Sequence, residues 1–141
     1  LTGRNSLKKN ETKIRVIYAD TDAMGIVYHA NYFRWFEIGR TELLRDMGIV
    51  YVELESKGYY LPLTKSTCHY LAPAKYDDFI IIETKISYFR RASIKFNYTL
   101  WDENKENIFV EGCTLHAFVN REGKIVRAPT ELVEQIKEMV V

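Results

Sequence analysis

Cysteine, proline, unbalanced charge and long apolar runs are all scarce in this chain, and each scarcity excludes a class of protein. The two cysteines, Cys68 and Cys113, lie far apart without CxxC spacing, so zinc-ribbon and thioredoxin readings have no support. Reduced thiols in a cytosolic protein fit better than a single disulfide. Lys and Arg number 20 against 19 Asp and Glu, a net charge of +1. That balance supplies no global drive toward nucleic acid or an anionic membrane. The apolar run Phe79-Ile80-Ile81-Ile82 falls far short of the ~20 residues a membrane helix needs. The opening LTGRNSLKKNETK has no apolar core of a secretory leader, and a cytoplasmic location is expected. No P-loop, GxSxG, HExxH or GxGxxG pattern occurs, which removes the usual support for nucleotide hydrolases, serine hydrolases, zincins and Rossmann enzymes.

What is present is an ordinary globular composition, 47% hydrophobic and 28% charged over 141 residues, enough for one domain with its own core. Residues 1–12 read as a flexible N-terminal tail on composition, and 13–141 as a single domain whose three prolines, Pro62, Pro73 and Pro129, punctuate it. Lys13 to Ala19 alternates as a strand. From Ala30 to Met47 the period changes: Tyr32, Phe36, Gly39, Leu43 and Met47 recur at threes and fours, giving an amphipathic helix of about five turns. Gly39 in its middle costs about 1 kcal/mol relative to Ala, an expense that close approach to a strand would explain, and Gly48 is suited to end the helix. A short helix is expected over Tyr51 to Gly58. Strands follow at Thr64 to Leu71, Phe79 to Phe89, Ser93 to Trp101 and Ile108 to Val119, with Ile125 and Val126 extending the sheet. On Phe79 to Phe89, Ile80, Ile82, Ile86 and Tyr88 share one face and Glu83 the other. A last helix runs from Thr130 to Met139. Consecutive strands with one long apolar helix define an α+β protein in which an antiparallel sheet wraps that helix.

The most unusual stretch is Tyr18-Ala19-Asp20-Thr21-Asp22-Ala23-Met24-Gly25-Ile26-Val27-Tyr28-His29-Ala30-Asn31-Tyr32, where two carboxylates and a histidine precede the long helix. The first turn of a helix presents unpaired N–H groups and a partial positive charge, suited to a carbonyl oxygen that becomes negative during reaction. Asp22 is placed to act as general base or nucleophile, and His29 to orient a substrate or water. Asp20 fits a capping role better. His69 and His116 fall in strand patterns and read as packing residues. Arg90 and Arg91, at a hairpin, form either a solvated turn or a phosphate grip.

The run YADTDAMGIVYHANYFRWFEIGRTELLR resembles the active-site signature of the 4-hydroxybenzoyl-CoA thioesterase family of hotdog-fold proteins, in particular its bacterial acyl-CoA thioesterase branch associated with the Tol-Pal system. The blocks YLAPAKYDDFIIIET and FRRAS are similar to that family too. The resemblance implies a hotdog fold and hydrolysis of acyl-CoA to free acid and CoA without a cofactor or metal. It also implies a homodimer or homotetramer with sites at the dimer interface. Asp22 matches the family's catalytic carboxylate and His29 its histidine. Gly25, Val27 and Tyr28 occupy the matching positions around the thioester, and the backbone near Ala30, Asn31 and Tyr32 would polarise its carbonyl. Arg90, Arg91 and Ser93, with Arg127 in KIVRAP, match the segment that meets the CoA nucleotide. Met24, where relatives carry a small residue, is expected to reshape the acyl end of the pocket, with Tyr59 and Tyr60 as further apolar lining. The alternative reading is a non-catalytic module that binds acyl-CoA or acyl carrier protein in the same cleft.

Overall fold

The computed structural model describes residues 9–137. Strands β1 (Lys9–Arg15), β2 (Leu63–Tyr70), β3 (Phe79–Arg90), β4 (Ser93–Trp101) and β5 (Ile108–Ala117) form one antiparallel sheet in the order β1-β3-β4-β5-β2. Helix α1 (Asn31–Asp46) follows β1, α2 (Tyr51–Ser56) precedes β2, and α3 (Thr130–Lys137) closes the described chain. The last part of the expected C-terminal helix, Glu138 and Met139, lies outside the described residues, as does most of the expected tail.

Helix α1 packs chiefly on β1 and β3 and less on β4. Its buried stripe, Tyr32, Trp35, Phe36, Gly39, Leu43 and Leu44, meets the inward residues of β4, Ile94, Phe96, Tyr98 and Leu100, all nearly inaccessible. Phe36 stacks on Tyr98 with ring centroids 4.3 Å apart and planes 6° from parallel, a pairing worth about 1 kcal/mol beyond burial. Gly39 marks the close approach that its sequence position suggested: a Cβ there would overlap Thr84 Oγ1 and lie 2.8 Å from Ile82 Cγ2. Gly48, at φ +82°, follows the helix end, with its N–H donating to Arg45 O at 2.9 Å, a left-handed position that glycine adopts without strain.

Three expectations need correction. The first strand is Lys9–Arg15 rather than Lys13 to Ala19, so part of the segment set aside as tail is sheet, with Lys9 to Thr12 registered against Lys85 to Ile82. Composition hid it because its polar groups are satisfied by distant partners: Lys9 bonds Glu83 on β3 at 3.0 Å and Asn10 Nδ2 donates to Asp46 at the end of α1 at 2.6 Å. On β3, a register shift between Ile86 and Tyr88 breaks the alternation, leaving Tyr88 half-buried. Glu83, expected outside, is 8% exposed because Lys9 pairs with it and Trp101 Nε1 donates to it at 3.1 Å. Finally, β5 ends at Ala117, and Val119 continues only through single bridges to Tyr60 and Ile125.

The β2–β5 register pairs Thr67 with Cys113 and Cys68 with Gly112. Side chains alternate across a sheet, so the two thiols face opposite sides, and both are free. Because α1 leaves the β2 end of the sheet uncovered, β2 is largely exposed on both faces along Leu63 to Tyr70. It is an edge strand of the kind that invites pairing. Among the described residues no helix is long and apolar enough to cross a membrane.

Candidate active site

The chain between β1 and α1 is built from two aspartates with opposite environments. A 3-10 turn, Tyr18–Asp20, buries Asp20 to 5% exposure. Its Oδ2 accepts the Ile17 N–H at 2.9 Å and its Oδ1 accepts Arg34 Nη2 at 2.5 Å. Its carbonyl takes the Tyr28 N–H at 2.9 Å and Asn31 Nδ2 at 2.7 Å. Asp20 is therefore the anchor that fixes the loop to the helix, and the Asn31 side chain serves that anchor.

Asp22 begins a tight hairpin. The Asp22 N–H donates to Ile26 O and the Gly25 N–H to Asp22 O, both at 2.9 Å, with Gly25 at φ +78°, a conformation that glycine reaches freely. Asp22 Oδ1 accepts the Met24 N–H at 2.8 Å, an Asx turn. Oδ2 has no hydrogen-bond partner among the described residues, and the residue is exposed. The carboxylate is thus oriented through one oxygen and open through the other.

Val27, 4% exposed, pins the far side of the hairpin by donating to Ala74 O at 2.9 Å. Tyr28 and His29 are exposed and tilted against each other, centroids 4.5 Å apart. Ala30 takes the N-cap position without a side-chain cap. Of the N–H groups there, Asn31 donates to Tyr28 O at 2.9 Å and Phe33 to Ala30 O at 3.2 Å. Among the described residues no backbone acceptor meets the N–H of His29, Ala30 or Tyr32.

Beside this helix start lies an open, mainly apolar cavity of about 380 Å³, walled by Ile26, Val27, His29, Tyr32, Tyr70 and Leu71. Tyr70, on β2, is a wall residue of this cavity that the sequence reading passed over, although it opens the YLAPAKYDDFIIIET block. Its hydroxyl donates to His29 O at 3.1 Å, and its ring meets Tyr32 and His29 edge-on at 5.6 and 6.4 Å. Desolvation, then the Cys68 thiol beside it, pushes the Tyr70 phenol up to about 12, so it keeps its proton and remains a donor. Burial likewise raises the Tyr32 phenol and the Cys68 thiol.

Other expected residues fall elsewhere. Met24 is 81% exposed and outside the lining of that cavity. Tyr59 lines a different cavity with Leu54 and Leu132, and Tyr60 bridges Val119. Arg90, Arg91, Ser93 and Arg127 do come together: Arg90 pairs with Ser93 across the β3–β4 hairpin, and the Ala128 N–H donates to Arg91 O at 2.9 Å, carrying Arg127 alongside. They sit at the end of β3 remote from the Asp22 hairpin, which bridges Lys75 near the start of that strand. Eleven residue steps at ~3.3 Å separate the ends of β3 by about 35 Å. Among the described residues no group of three His, Cys, Asp or Glu side chains is placed to hold a metal ion.

A five-stranded antiparallel sheet packed on one central helix is the hotdog architecture of thioesterases. The sequence pattern of the Thioesterase-like superfamily matches residues 16–136, and the chain belongs to that superfamily. The acyl-CoA thioester hydrolase YbgC of Escherichia coli O157:H7 is 39% identical over 94 residues, 67% of this chain and 69% of that protein. A crystal structure from Aquifex aeolicus superposes with a TM-score of 0.84 at 34% identity, covering 89% of this chain and 98% of that one. The DHNA-CoA thioesterase of Staphylococcus aureus superposes with a TM-score of 0.88 at 25% identity, covering 92% of this chain and 89% of that one.

Proposed function

We propose that the protein hydrolyses acyl-CoA thioesters, with Asp22 as the catalytic carboxylate. The observation that carries this reading is one open apolar cavity walled from both sides: by Ile26 and Val27 of the hairpin that carries the oriented, half-engaged Asp22 carboxylate, itself outside the lining, and by His29 and Tyr32 of a helix start whose N–H groups at His29, Ala30 and Tyr32 are unspent. The thioester carbonyl points at the helix start, where those dipoles stabilise the oxyanion as it forms. Asp22 either draws a proton from water or attacks the carbonyl carbon itself. In the first route hydroxide adds to carbon, the C–S bond breaks, and the CoA thiolate takes the proton. In the second a mixed anhydride forms as the thiolate leaves, and water then cleaves it. His29 orients substrate or water at the cavity wall, and Gly25, Val27 and Tyr28 shape the hairpin that presents Asp22.

The nucleotide end requires a second chain. A gap of about 35 Å lies between the Asp22 hairpin and the Arg90, Arg91, Ser93 and Arg127 cluster along one strand, so one molecule of CoA does not reach both on the same chain. A homodimer, or a dimer of dimers, joined through the exposed β2 edge supplies the partner's cluster to each cleft, in the cytoplasm where CoA thioesters are made.

Thiol release measured over acetyl to palmitoyl and aromatic CoA esters tests the activity. Asp22→Asn and Asp22→Ala should lower turnover by about 10²-fold or more. Near-parental turnover of every ester by both variants removes Asp22 from the mechanism. Tight binding with no thiol release by the parent would make the protein a binding module for acyl-CoA or acyl carrier protein. Sedimentation as a monomer at micromolar concentration would refute the two-chain cleft.

A further inference from the structure

A second cavity, of about 210 Å³, lies between the flank of α1 and the inner face of β4 and β5, away from the Asp22 hairpin. Tyr51, Leu61 and Phe96 give it apolar walls, and Arg40, Glu37 and His116 give it polar ones. The hydrogen-bond directions on the polar side are forced. Leu61 O only accepts, so His116 Nδ1, 3.1 Å away, carries the proton and donates. His116 Nε2 must then accept from the Thr114 hydroxyl at 2.9 Å. Thr114 in turn accepts from the Tyr98 hydroxyl at 2.6 Å, and the Tyr98 oxygen faces Arg40 Nη1 at 3.5 Å, the limit of a hydrogen bond. Every proton in that chain is spent except those of Arg40. Tyr51 adds one more donor, because its oxygen already accepts the Leu61 N–H at 3.1 Å and its own proton remains.

Arg40 stands apart from the other ion-paired arginines. Arg15 and Arg34 hold carboxylates at 2.8 and 2.5 Å. Arg40, with its side chain only 21% exposed, has its nearest carboxylate, Glu37, at 4.0 Å, and Glu37 is itself 70% exposed. A guanidinium withdrawn from water without a close anion is costly, and a planar carboxylate matches its donor fork.

We propose that this cavity binds a small monocarboxylate, its carboxylate held by Arg40 and the Tyr51 hydroxyl and its apolar body against Leu61 and Phe96. A cavity of roughly 150 Å³ accepts benzene, so about 210 Å³ suits one aromatic ring or a short alkyl chain with its carboxylate. The site stands on these residues alone and does not depend on the thioesterase reading.

Titration of the full chain with benzoate and hexanoate, followed by calorimetry and by the His116 ring resonances, tests it. Benzoate should bind and shift His116, and benzamide should bind at least tenfold more weakly. Arg40→Met should weaken benzoate binding at least tenfold, while Glu37→Gln, which removes a repelling charge at the mouth, should tighten it several-fold. Leu61→Trp, which fills the cavity without touching the charges, should abolish binding in a folded protein. No binding at millimolar benzoate, equal binding by the parent and Glu37→Gln, or perturbation of His29 instead of His116 would each overturn the proposal. None of these readouts uses thioester hydrolysis, so failure here is distinct from failure of the proposed activity.

Discussion

The buried His116 makes folding stability depend on pH in a calculable way. It is 2% exposed, and burial first, then the positive charge of Arg40, hold it neutral against the opposing hydrogen bond to Leu61 O. Its folded pKa is lowered from 6.5 to about 4. A histidine whose folded pKa is depressed binds more protons in the unfolded chain between those two values, so stability falls as the pH drops through that window and levels off below it. Taking 6.5 unfolded and about 4 folded, the loss relative to neutral pH is about 2 kcal/mol at pH 5 and about 3 kcal/mol at pH 4. Urea unfolding followed by Trp35 and Trp101 fluorescence from pH 7 to 4 measures it. Three carboxyls add loss of the same sign at lower pH: Glu11, held low by Lys105 and Lys9, Glu83, where burial is outweighed by Trp101, Lys9 and Lys105 together, and the exposed Asp102, held low by the Asn107 side chain and the Glu106 N–H. The comparison is therefore with His116→Gln. The variant should be less stable at pH 7 and should lose most of the slope between pH 6.5 and 5. Equal slopes in parent and variant, or a His116 NMR midpoint near 6.5, would refute the reasoning.

Gly39→Ala should destabilise the protein by about 2 kcal/mol despite the better helix former, because the new methyl has no room against Thr84 and Ile82; the urea midpoint checks it, and added Thr84→Ala should recover part of the loss. Asp20→Asn should cost about 1–2 kcal/mol of stability by weakening the buried end of the Arg34 pair, whereas Asp22→Asn should stay within about 0.5 kcal/mol of the parent; equal losses would erase the distinction between anchor and catalyst. Tyr70→Phe, which removes the donor to His29 O, should lower kcat for thioesters about tenfold with little change in KM, and unchanged kcat would make Tyr70 a wall residue only. Replacing Arg90 and Arg91 together with Ala should raise KM for CoA esters more than it lowers kcat, with the effect fading as salt rises; an unchanged KM returns the pair to a solvated turn.

β4 has a neighbouring strand on both edges and α1 over its inner face, and its alternation of Ile94, Phe96, Tyr98 and Leu100 predicted its bounds, Ser93–Trp101. The central helix came within a residue at each end for the same reason, since its wide apolar stripe is buried. β2 came within a residue at each end as well, Thr64 to Leu71 against Leu63–Tyr70, although among the described residues it is exposed on both faces and shows no burial period. That exposure is the property that makes it available to a second chain. β1 was misplaced by four residues. Its partners Glu83, Asp46 and Lys105 lie 36 to 94 positions away, and no local composition reveals that such charges will be matched.

The site divides along the same line between local and distant causes. Asp20 and Asp22 are two residues apart and chemically identical in sequence, so spacing alone cannot assign one to structure and the other to chemistry. The assignment comes from Arg34, one helical turn into α1, which reaches back to Asp20 and holds it in the buried corner. With Asp20 fixed, its carbonyl gathers Tyr28 and Asn31, which sets where α1 starts and leaves the N–H groups of His29, Ala30 and Tyr32 unspent. The hairpin then needs only the Asx turn of Asp22 and the positive φ of Gly25 to present the second carboxylate outward. A carboxylate that also held the loop together, as Asp20 does, would have both oxygens hydrogen-bonded and its charge paired with Arg34, which makes it a weaker base and nucleophile. Because Asp20 carries the structural load, Asp22 keeps one oxygen open, and it is this separation of duties, made by an arginine fourteen residues away, that turns a pair of loop aspartates into a candidate catalytic site.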